Sequence, residues 1–244
     1  MQHNQTPIAP IAPRLAELER ELEGFSYIVS HDLAASFRHV AEFSRLLVGA
    51  FGDDLTDNQR AYAARVRGST DKCQLMMEQL LVYSRVQQRV MAPVLHDATS
   101  TMNLVQLRLS TETQAADAQL FVGALGQVYG DPILLEIIFH ALLENAVKFR
   151  LPGVSPVVQV QTAHDEAFWR LRITDNGPGV ELAFREKSFV MFHRLNGEDA
   201  YPGAGAGLAI ARRVARRHGG DISFLDCVGG ACVELALPRA KTLH

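Results

Sequence analysis

Cysteine is scarce in this chain of 244 residues, which contains only three. They are Cys73, Cys227 and Cys232, an odd number with no C-x-x-C spacing. This pattern indicates neither a disulfide framework nor a zinc site. Because Cys73 falls on an apolar helical stripe and the other two fall in strand-like segments, we expect all three to be buried thiols in a reducing cytosol.

Long apolar runs, a leader segment and a large net charge are also lacking. The most apolar segment, LLEIIFHALLENAVKF, is interrupted by Glu136, His140 and Glu144 and does not predict a transmembrane helix. The N-terminus, MQHNQTPIAPIAP, has neither the basic start nor the apolar centre of a signal peptide. The net charge of −3 favours no nucleic-acid or anionic-membrane partner. We therefore expect a cytoplasmic protein with no membrane span and no nucleic-acid partner.

Residues 14–90 show the periodicity of two long helices. Apolar residues of the first helix are spaced alternately by three and four positions, at Leu15, Leu18, Leu22, Phe25 and Val29. Gly52 predicts a turn, and Thr56 with Gln59 predicts a capping box that begins the second helix. Two helices alone cannot bury both apolar stripes, so we expect a homodimer through residues 14–90. The alternative is that the stripe packs on the second half of the same chain.

Beyond about residue 98, strand-like and helix-like segments alternate. The strand-like segments are VQLRLS, LFVGAL, VVQVQT, WRLRITD and CVELAL, and the helix-like ones are 131–149 and 206–219. This mixture predicts a sheet backed by helices. The predicted fold class is α+β, with an N-terminal helical hairpin that forms a dimeric four-helix bundle, followed by an α/β-sandwich domain. The predicted domains are 14–92 and 98–240, with a hinge at 87–96.

His31 lies on the side of the first helix opposite the apolar seam. It stands two residues from both Val29 and Leu33, and each residue turns the helix by about 100°. Asp32 follows directly, and a carboxylate beside an imidazole can bind one ring N–H and leave the other nitrogen nucleophilic. His31 is therefore a candidate phosphoryl acceptor assisted by Asp32. The alternative is an ordinary surface histidine.

Asp175 opens the motif DNGPG at the end of the segment WRLRITD. A carboxylate at this place can accept a hydrogen bond from an exocyclic amine and so select adenine. Gly177 and Gly179 allow the backbone to approach a base closely. Taken alone, the motif is equally typical of a turn.

A phosphate site is indicated by two further segments. Asn145 lies within a helical segment although asparagine is a poor helix former, which suggests an oxygen ligand to Mg²⁺. Lys148 shares its helix face and can reach a phosphate. The motif GAGAGL opens the next helix, where unpaired N–H groups can bind phosphate, and its glycines are Gly203, Gly205 and Gly207. Separately, Asn145 could be a core amide and the glycines a linker.

Together these motifs resemble the catalytic core of a sensor histidine kinase, with the gyrase-type ATP-binding fold in its second half. FSYIVSHDL resembles the H-box of that family, HALLENAVKF its N-box, ITDNGPGV and GAGAGLAIARRVARRHGG its glycine boxes, and SFVMFHRL its F-box with Phe189 and Phe192. YPGAGAGLAI and NAVKFR resemble the phytochrome-like branch in particular. The similarity extends over about residues 20–240.

The resemblance implies a mechanism and further site residues. Mg·ATP bound by the domain 98–240 would donate its γ-phosphoryl group to His31. The phosphohistidine would then pass the group to an aspartate on a response-regulator receiver domain. Asn145 would be the metal ligand, and a loop from about 193 to 204 would be the ATP lid. The resemblance adds Phe149, Phe192 and Leu208 to the residues that bind the nucleotide.

Three positions depart from the family pattern. Ser36 stands where a proline is usual, five residues after the acceptor, and Ala141 replaces the first asparagine of the N-box. A third departure is Ala35, four residues after the acceptor, where many members carry Thr or Asn; it predicts weak phosphatase activity toward the response regulator. Ala141 cannot activate water, which disfavours a gyrase-like ATPase, and the seam with His31 disfavours both that class and a serine kinase of the anti-sigma type. The alternatives that stay open are a non-catalytic dimeric adaptor and a phosphotransfer protein with a vestigial ATP domain.

Overall fold

The computed structural model describes residues 33–51, 55–194, 201 and 203–239. The chain forms two compact units, Met1–Ser84 and Arg85–His244. The domain bounds 14–92 and 98–240 stay a prediction. His31 and Asp32 lie outside the described residues, as does the predicted turn at Gly52.

The first unit contains α1 (33–51) and most of α2 (Asp57–Gln88). The described part of α1 is continuous through Ser36. The predicted capping box before α2 is confirmed. The amide of Thr56 donates to Oε1 of Gln59 at 2.8 Å, and the amide of Gln59 donates to Oγ1 of Thr56 at 3.4 Å. Each residue thus satisfies an amide of the other, as this motif requires at a helix start.

The second unit combines two sheets with helices. Its strands are β1 (Val94–Asp97), β2 (Gln119–Val122), β3 (Gln127–Gly130), β4 (Val157–His164), β5 (Phe168–Asp175), β6 (Asp221–Leu225) and β7 (Cys232–Pro238). Its helices are α3 (Ala98–Arg108), α4 (Ser110–Ala115), α5 (Pro132–Lys148), α6 (Leu182–Arg185) and α7 (Gly207–Arg217), with a 3-10 turn at Glu186–Phe189. The strand order of the larger sheet is β2-β4-β5-β7-β6, in which only β2 and β4 are parallel. Strands β1 and β3 form a separate antiparallel pair. The predicted α+β fold class is confirmed.

One face of the five-stranded sheet packs on helices. Trp169, Leu171 and Ile173 alternate along β5 and are buried, as the two-residue period of a strand requires. Phe139 of α5 lies against Trp169, with ring centroids 6.4 Å apart. Helix α5 also packs on α3 and α7. It is therefore the central helix of the core and can hold fixed any side chains that it presents at its ends.

Two expectations about this unit are wrong. The segment VQLRLS does not form a strand, because Val105 lies in α3 and packs with Met102 and Leu109 at helical spacing. The predicted hinge 87–96 stays a prediction, and its last residues lie in strand β1, which pairs with β3. Cys227 is exposed rather than buried. Within the described ranges, no helix has both the length and the apolarity needed to cross a bilayer.

Asp131 joins the start of α5 to the chain before β1. Its Oδ1 accepts hydrogen bonds from the amides of Ile133 and Leu134, at 3.0 and 3.3 Å, and so caps the helix. Its Oδ2 accepts from the amide of Ala92 at 3.0 Å, and Nε of Arg89 lies 3.6 Å away. The residue is 1% exposed. Burial disfavours its ionised form, but these hydrogen bonds outweigh burial and hold the pKa of Asp131 below its ordinary value.

We expect Asp131→Ala to destabilise the second unit by roughly 2–3 kcal/mol at neutral pH, because buried amides lose their acceptor. Trp169 is the only tryptophan of the chain and is buried in β5, so its fluorescence during urea unfolding reports on this unit. Asp97→Ala is the matched control, since Asp97 caps α3 through a single bond to Thr99 at the surface. Asp97→Ala should lower the free energy of unfolding less than Asp131→Ala does.

The pH dependence of this loss of stability follows from the lowered pKa of Asp131. A carboxyl whose pKa is lower when folded stabilises the fold above its unfolded pKa, and this contribution disappears as pH falls through the folded value. The difference in free energy of unfolding between wild type and Asp131→Ala should therefore become smaller below about pH 4. Equal losses in the two variants, or a difference that grows in acid, would contradict the role given to Asp131.

Candidate functional site

The glycine-rich loop lies along one face of α5. A Cβ on Gly203 would stand 3.0 Å from Nζ of Lys148, and a Cβ on Gly207 would stand 3.7 Å from Cβ of Ala141. Positions 141, 145 and 148 share a helix face because they are separated by four and three residues. Asn145 therefore lies between the two points at which the loop meets the helix. The structure brings together Asn145, Lys148, Gly203 and Gly207.

The start of α7 offers unpaired backbone donors to this face. Ala206 is the N-cap residue, and no described side chain caps the helix there. The first amides of a helix have no partner within it, and the helix dipole favours an anion at the same end. Together with the loop that precedes it, this terminus has the chemistry of a phosphate site.

Asp175 connects the end of β5 to two neighbouring segments. Its Oδ1 accepts from the amide of Gly177 at 2.8 Å and from the amide of Ala231 at 3.1 Å. Its own amide donates to the carbonyl of Ala231 at 2.9 Å. Burial raises the pKa of the Asp175 carboxyl, although the bonds from Gly177 and Ala231 act against this shift. Within the described residues, Oδ2 has no protein donor and remains open to a ligand amine.

Glycines allow the backbone to close around Asp175. A Cβ on Gly177 would lie 2.1 Å from the carbonyl oxygen of Phe149, and a Cβ on Gly230 would lie 1.8 Å from that of Asp175. Gly179 has a positive φ of 73°, and a Cβ there would lie 2.7 Å from the carbonyl oxygen of Gly230. A side chain at any of these positions would separate the DNGPG loop from α5 or from the β6–β7 turn.

Lys148 carries its charge in a partly buried place. Its Nζ lies 4.8 Å from the centroid of the Phe149 ring. Burial lowers the pKa of Lys148, Glu144 opposes the shift and Arg194 adds to it. A cation that is incompletely solvated is stabilised when an anion approaches it. Lys148 is therefore placed to favour a bound phosphate.

An aromatic contact fixes the chain just before the glycine-rich loop. The rings of Phe149 and Tyr201 meet edge to face, with centroids 4.9 Å apart. The hydroxyl of Tyr201 donates to the carbonyl of Arg150 at 2.9 Å, and Arg194 donates to the carbonyl of Tyr201. The C-terminal end of α5 is thus tied to residue 201.

The remaining predicted residues have distinct surroundings. Phe192 has a positive φ of 62° and donates its amide to the carbonyl of Gly205 at 2.9 Å, which closes the base of the intervening loop. Leu208 is half-buried in the first turn of α7. Phe189 packs on Phe224 instead, with ring centroids 5.5 Å apart. The predicted lid, 193–204, lies partly outside the described residues.

Three residues of the site were missed by the sequence reasoning. The two consecutive glycines at 229 and 230 do indicate a turn between strands. Nothing in the sequence shows that Gly230 and the amide of Ala231 reach Asp175, since that depends on the pairing of β5 with β7. Tyr201 likewise meets Phe149 only after folding.

A metal site built from acidic or sulfur ligands does not occur in the described part of the chain. No group of three or more His, Cys, Asp or Glu side chains is arranged to hold an ion there. Mg²⁺ commonly binds through one or two protein oxygens, completed by water and substrate phosphates. The half-buried amide of Asn145 has no hydrogen-bond partner among the described residues and fits that single-ligand role.

Comparison with known proteins agrees with this geometry. Residues 130–241 match the family model described as histidine kinase-, DNA gyrase B-, and HSP90-like ATPase. The chain is 27% identical over 215 residues to the phytochrome-like protein Cph1 of Synechocystis sp., covering 88% of this chain but 29% of that protein. It thus spans less than a third of the length of this curated relative.

Two solved structures are also similar. The mycobacterial sensor histidine kinase MprB is 30% identical, with a TM-score of 0.51, and the match covers 62% of this chain and 98% of that one. Full-length ShkA in complex with AMPPNP has a TM-score of 0.63 at 24% identity, and the match covers 89% of this chain and 46% of that one. The second unit is therefore an ATP-binding domain of the histidine kinase, gyrase B and HSP90 type. The chain belongs to the sensor histidine kinase family.

We expect Gly230→Ala to weaken ADP binding at least about tenfold, because the new methyl would displace the carbonyl of Asp175 and with it the carboxylate. Gly229→Ala is the matched control. Gly229 also has a positive φ, of 73°, but a Cβ there would meet nothing within 4 Å. Calorimetric titration with ADP checks the pair. Equal affinities in the two variants would refute the contact between Gly230 and Asp175 as a determinant of binding.

Proposed function

We propose that this chain is the catalytic core of an ATP-dependent protein histidine kinase. It phosphorylates its own His31 and passes the phosphoryl group to an aspartate on a response-regulator receiver domain, in two-component signalling. The observation that supports this most is the path of the glycine-rich loop along the Ala141, Asn145 and Lys148 face of α5. That arrangement supports a phosphate site in which Asn145 and Lys148 act together with the amides of α7.

Nucleotide binding is divided between two ends of the site. Oδ2 of Asp175 accepts the exocyclic amine of adenine, while its Oδ1 stays bonded to Gly177 and Ala231. The amides of the glycine-rich loop and the first turn of α7 bind the phosphates. Lys148 adds a positive charge close to Gly203. The two ends are held at a fixed separation because both contact α5.

Asn145 is proposed to hold Mg²⁺ with its side-chain oxygen. The bound ion would neutralise charge on the phosphates. The protein contributes position: α5 fixes Asn145, and Ala141, one turn earlier on the same helix face, carries a methyl group that faces Gly207. Phosphoryl transfer depends mainly on such positioning and charge neutralisation.

The transfer step forms one bond and breaks one. A ring nitrogen of neutral His31 attacks the γ-phosphorus, and the bond from that phosphorus to the bridging oxygen breaks, so that ADP leaves. Asp32 binds the N–H of the other ring nitrogen and stabilises the positive charge that develops on the ring. The neutral ring is available at cellular pH because the ordinary histidine pKa is about 6.5.

We also propose that the first unit forms a homodimer through residues 14–90. The described helices of this unit leave a large apolar surface exposed: Leu33, Val40, Phe43, Leu46, Leu47, Phe51, Tyr62 and Val66. Exposed apolar side chains in this number mark an interaction surface. A second copy supplies the same surface and completes a four-helix bundle.

We expect γ-labelled Mg·ATP to label the wild-type protein but not His31→Gln. The label should be acid-labile and stable in base, since it is a phosphohistidine. Asp175→Asn should reduce labelling at least about tenfold, because the carboxylate that accepts the adenine amine becomes an amide.

The outcomes separate the alternatives. Absence of label with intact ATP binding would contradict the kinase and favour a phosphotransfer protein or an adaptor. Loss of both label and ATP binding would contradict the nucleotide site itself. Label that persists in His31→Gln would show that another residue is the acceptor.

We expect Phe43→Glu to shift the protein from dimer to monomer in sedimentation equilibrium, because Phe43 is 69% exposed within its own unit. Arg45→Gln is the control on the same turn, and it removes only an exposed ion pair with Glu42. A monomeric wild type, or a dimer unaffected by Phe43→Glu, would contradict the proposed interface.

A further inference from the structure

Arg212 joins three segments of the second unit through one side chain. Its Nε and Nη2 donate to the two carboxylate oxygens of Asp221 on β6, at 2.8 and 3.1 Å. Its Nη1 donates to Oε2 of Glu186 at 2.7 Å, and its guanidinium carbon lies 4.5 Å from the centroid of the Phe189 ring. The side chain is 15% exposed. The planar guanidinium thus uses both its edge and its face, which a lysine could not do.

These contacts link the two chain segments that flank the base of the site. Glu186 and Phe189 belong to the 3-10 turn that precedes Phe192, while Arg212 belongs to the helix that the glycine-rich loop opens. Phe189 is also packed on Phe224 of β6. The turn, β6 and α7 are therefore held together at one point. Arg212 follows Gly207 by five residues, a rise of about 7.5 Å along α7.

The ion pair is retained over the neutral pH range. Partial burial disfavours the charge on Asp221, but hydrogen bonds from Arg212, the amide of Ile222 and Arg216 outweigh it and lower the pKa of Asp221 to about 2. Its hydrogen bond with Asp221 in turn raises the pKa of Arg212. Both groups are charged whenever the nucleotide is fully ionised, so the link does not titrate under working conditions.

The glycine-rich loop has little means of fixing its own conformation. Gly203 and Gly205 have positive φ values of 113° and 75°, and neither carries a side chain that could pack. The direction of its amides is therefore set by what holds its two ends. One end is held through Phe192 and Tyr201, and the other is the first turn of α7.

We infer that Arg212 is a positioning residue for polyphosphate binding, acting by holding α7 against the Glu186–Phe189 turn and β6. This inference rests on the proposed function, since it concerns how that site binds the terminal phosphates of the nucleotide. Neither Arg212 nor its partners is among the residues assigned to the nucleotide. Its effect should fall on the phosphates at the glycine-rich loop and not on the base at Asp175.

The chain offers a matched control at Arg216. This arginine also donates to Asp221, at 3.3 and 3.4 Å, but its side chain is 56% exposed and is one turn further from the loop. We expect Arg212→Gln to reduce affinity for a non-hydrolysable ATP analogue about tenfold and affinity for ADP less than about threefold. Arg216→Gln should change neither by more than about twofold.

Glu186→Gln provides a second, milder test. It keeps the pair between Arg212 and Asp221 and weakens only the bond to the turn, so it should give a partial loss for the triphosphate analogue alone. Thermal unfolding of each variant shows whether it is folded at the temperature of titration. If Arg212→Gln does not fold, Glu186→Gln decides the question, because Glu186 is a surface residue with 76% of its side chain exposed.

Equal losses for the triphosphate analogue and for ADP would overturn the inference, since they would mean general destabilisation. Unchanged affinities in Arg212→Gln and Glu186→Gln would do so as well, and would leave the proposed function intact if the wild type binds both nucleotides. A wild type that binds neither nucleotide would overturn the proposed function and, with it, this inference.

Discussion

The bonds around Asp175 are the constraint on which the site depends. One carboxylate oxygen and the backbone of this residue hold the DNGPG loop and the β6–β7 turn to the end of β5. Because that oxygen accepts hydrogen bonds from two amides, they orient the carboxyl group and set the direction of its other oxygen. This arrangement also buries the carboxyl group, and burial raises the pKa of Asp175. A hydrogen-bonding amine is the kind of ligand that compensates a buried carboxylate without needing a cation.

Helix α5 connects the Asp175 loop to the glycine-rich loop. Its cap residue Phe149 contacts Gly177, and its face at Ala141 and Lys148 contacts the glycine-rich loop. Both contacts are possible because α5 is the buried centre of the unit and cannot shift without disrupting the sheet. The distance between the Asp175 loop and the glycine-rich loop is therefore set by one helix. Preorganisation of this kind reduces the ordering cost of binding.

The sequence was informative where a function needs a local motif. The glycine motifs, Asn145 and Lys148 could be predicted because spacing along one helix or one turn already determines which residues share a face. The contact of Gly230 with Asp175 and that of Arg212 with Glu186 could not, since each joins residues far apart in the chain. The segment VQLRLS could not be assigned correctly for the same reason. Its alternating pattern suggests a strand, but burial of Met102 and Val105 in the helix that packs on α5 makes it helical.

Ala141 determines what the site cannot do. Its side chain is 7% exposed and faces Gly207, so the place beside Asn145 holds a methyl group and a glycine. Neither can remove a proton from water, and general-base catalysis commonly contributes a factor of about 10² to 10⁴ in rate. The residue that packs against the glycine-rich loop at this point therefore offers no general base. A phosphoryl acceptor must then bring its own nucleophile and its own base, which is what an imidazole with a neighbouring carboxylate, as at His31 and Asp32, provides.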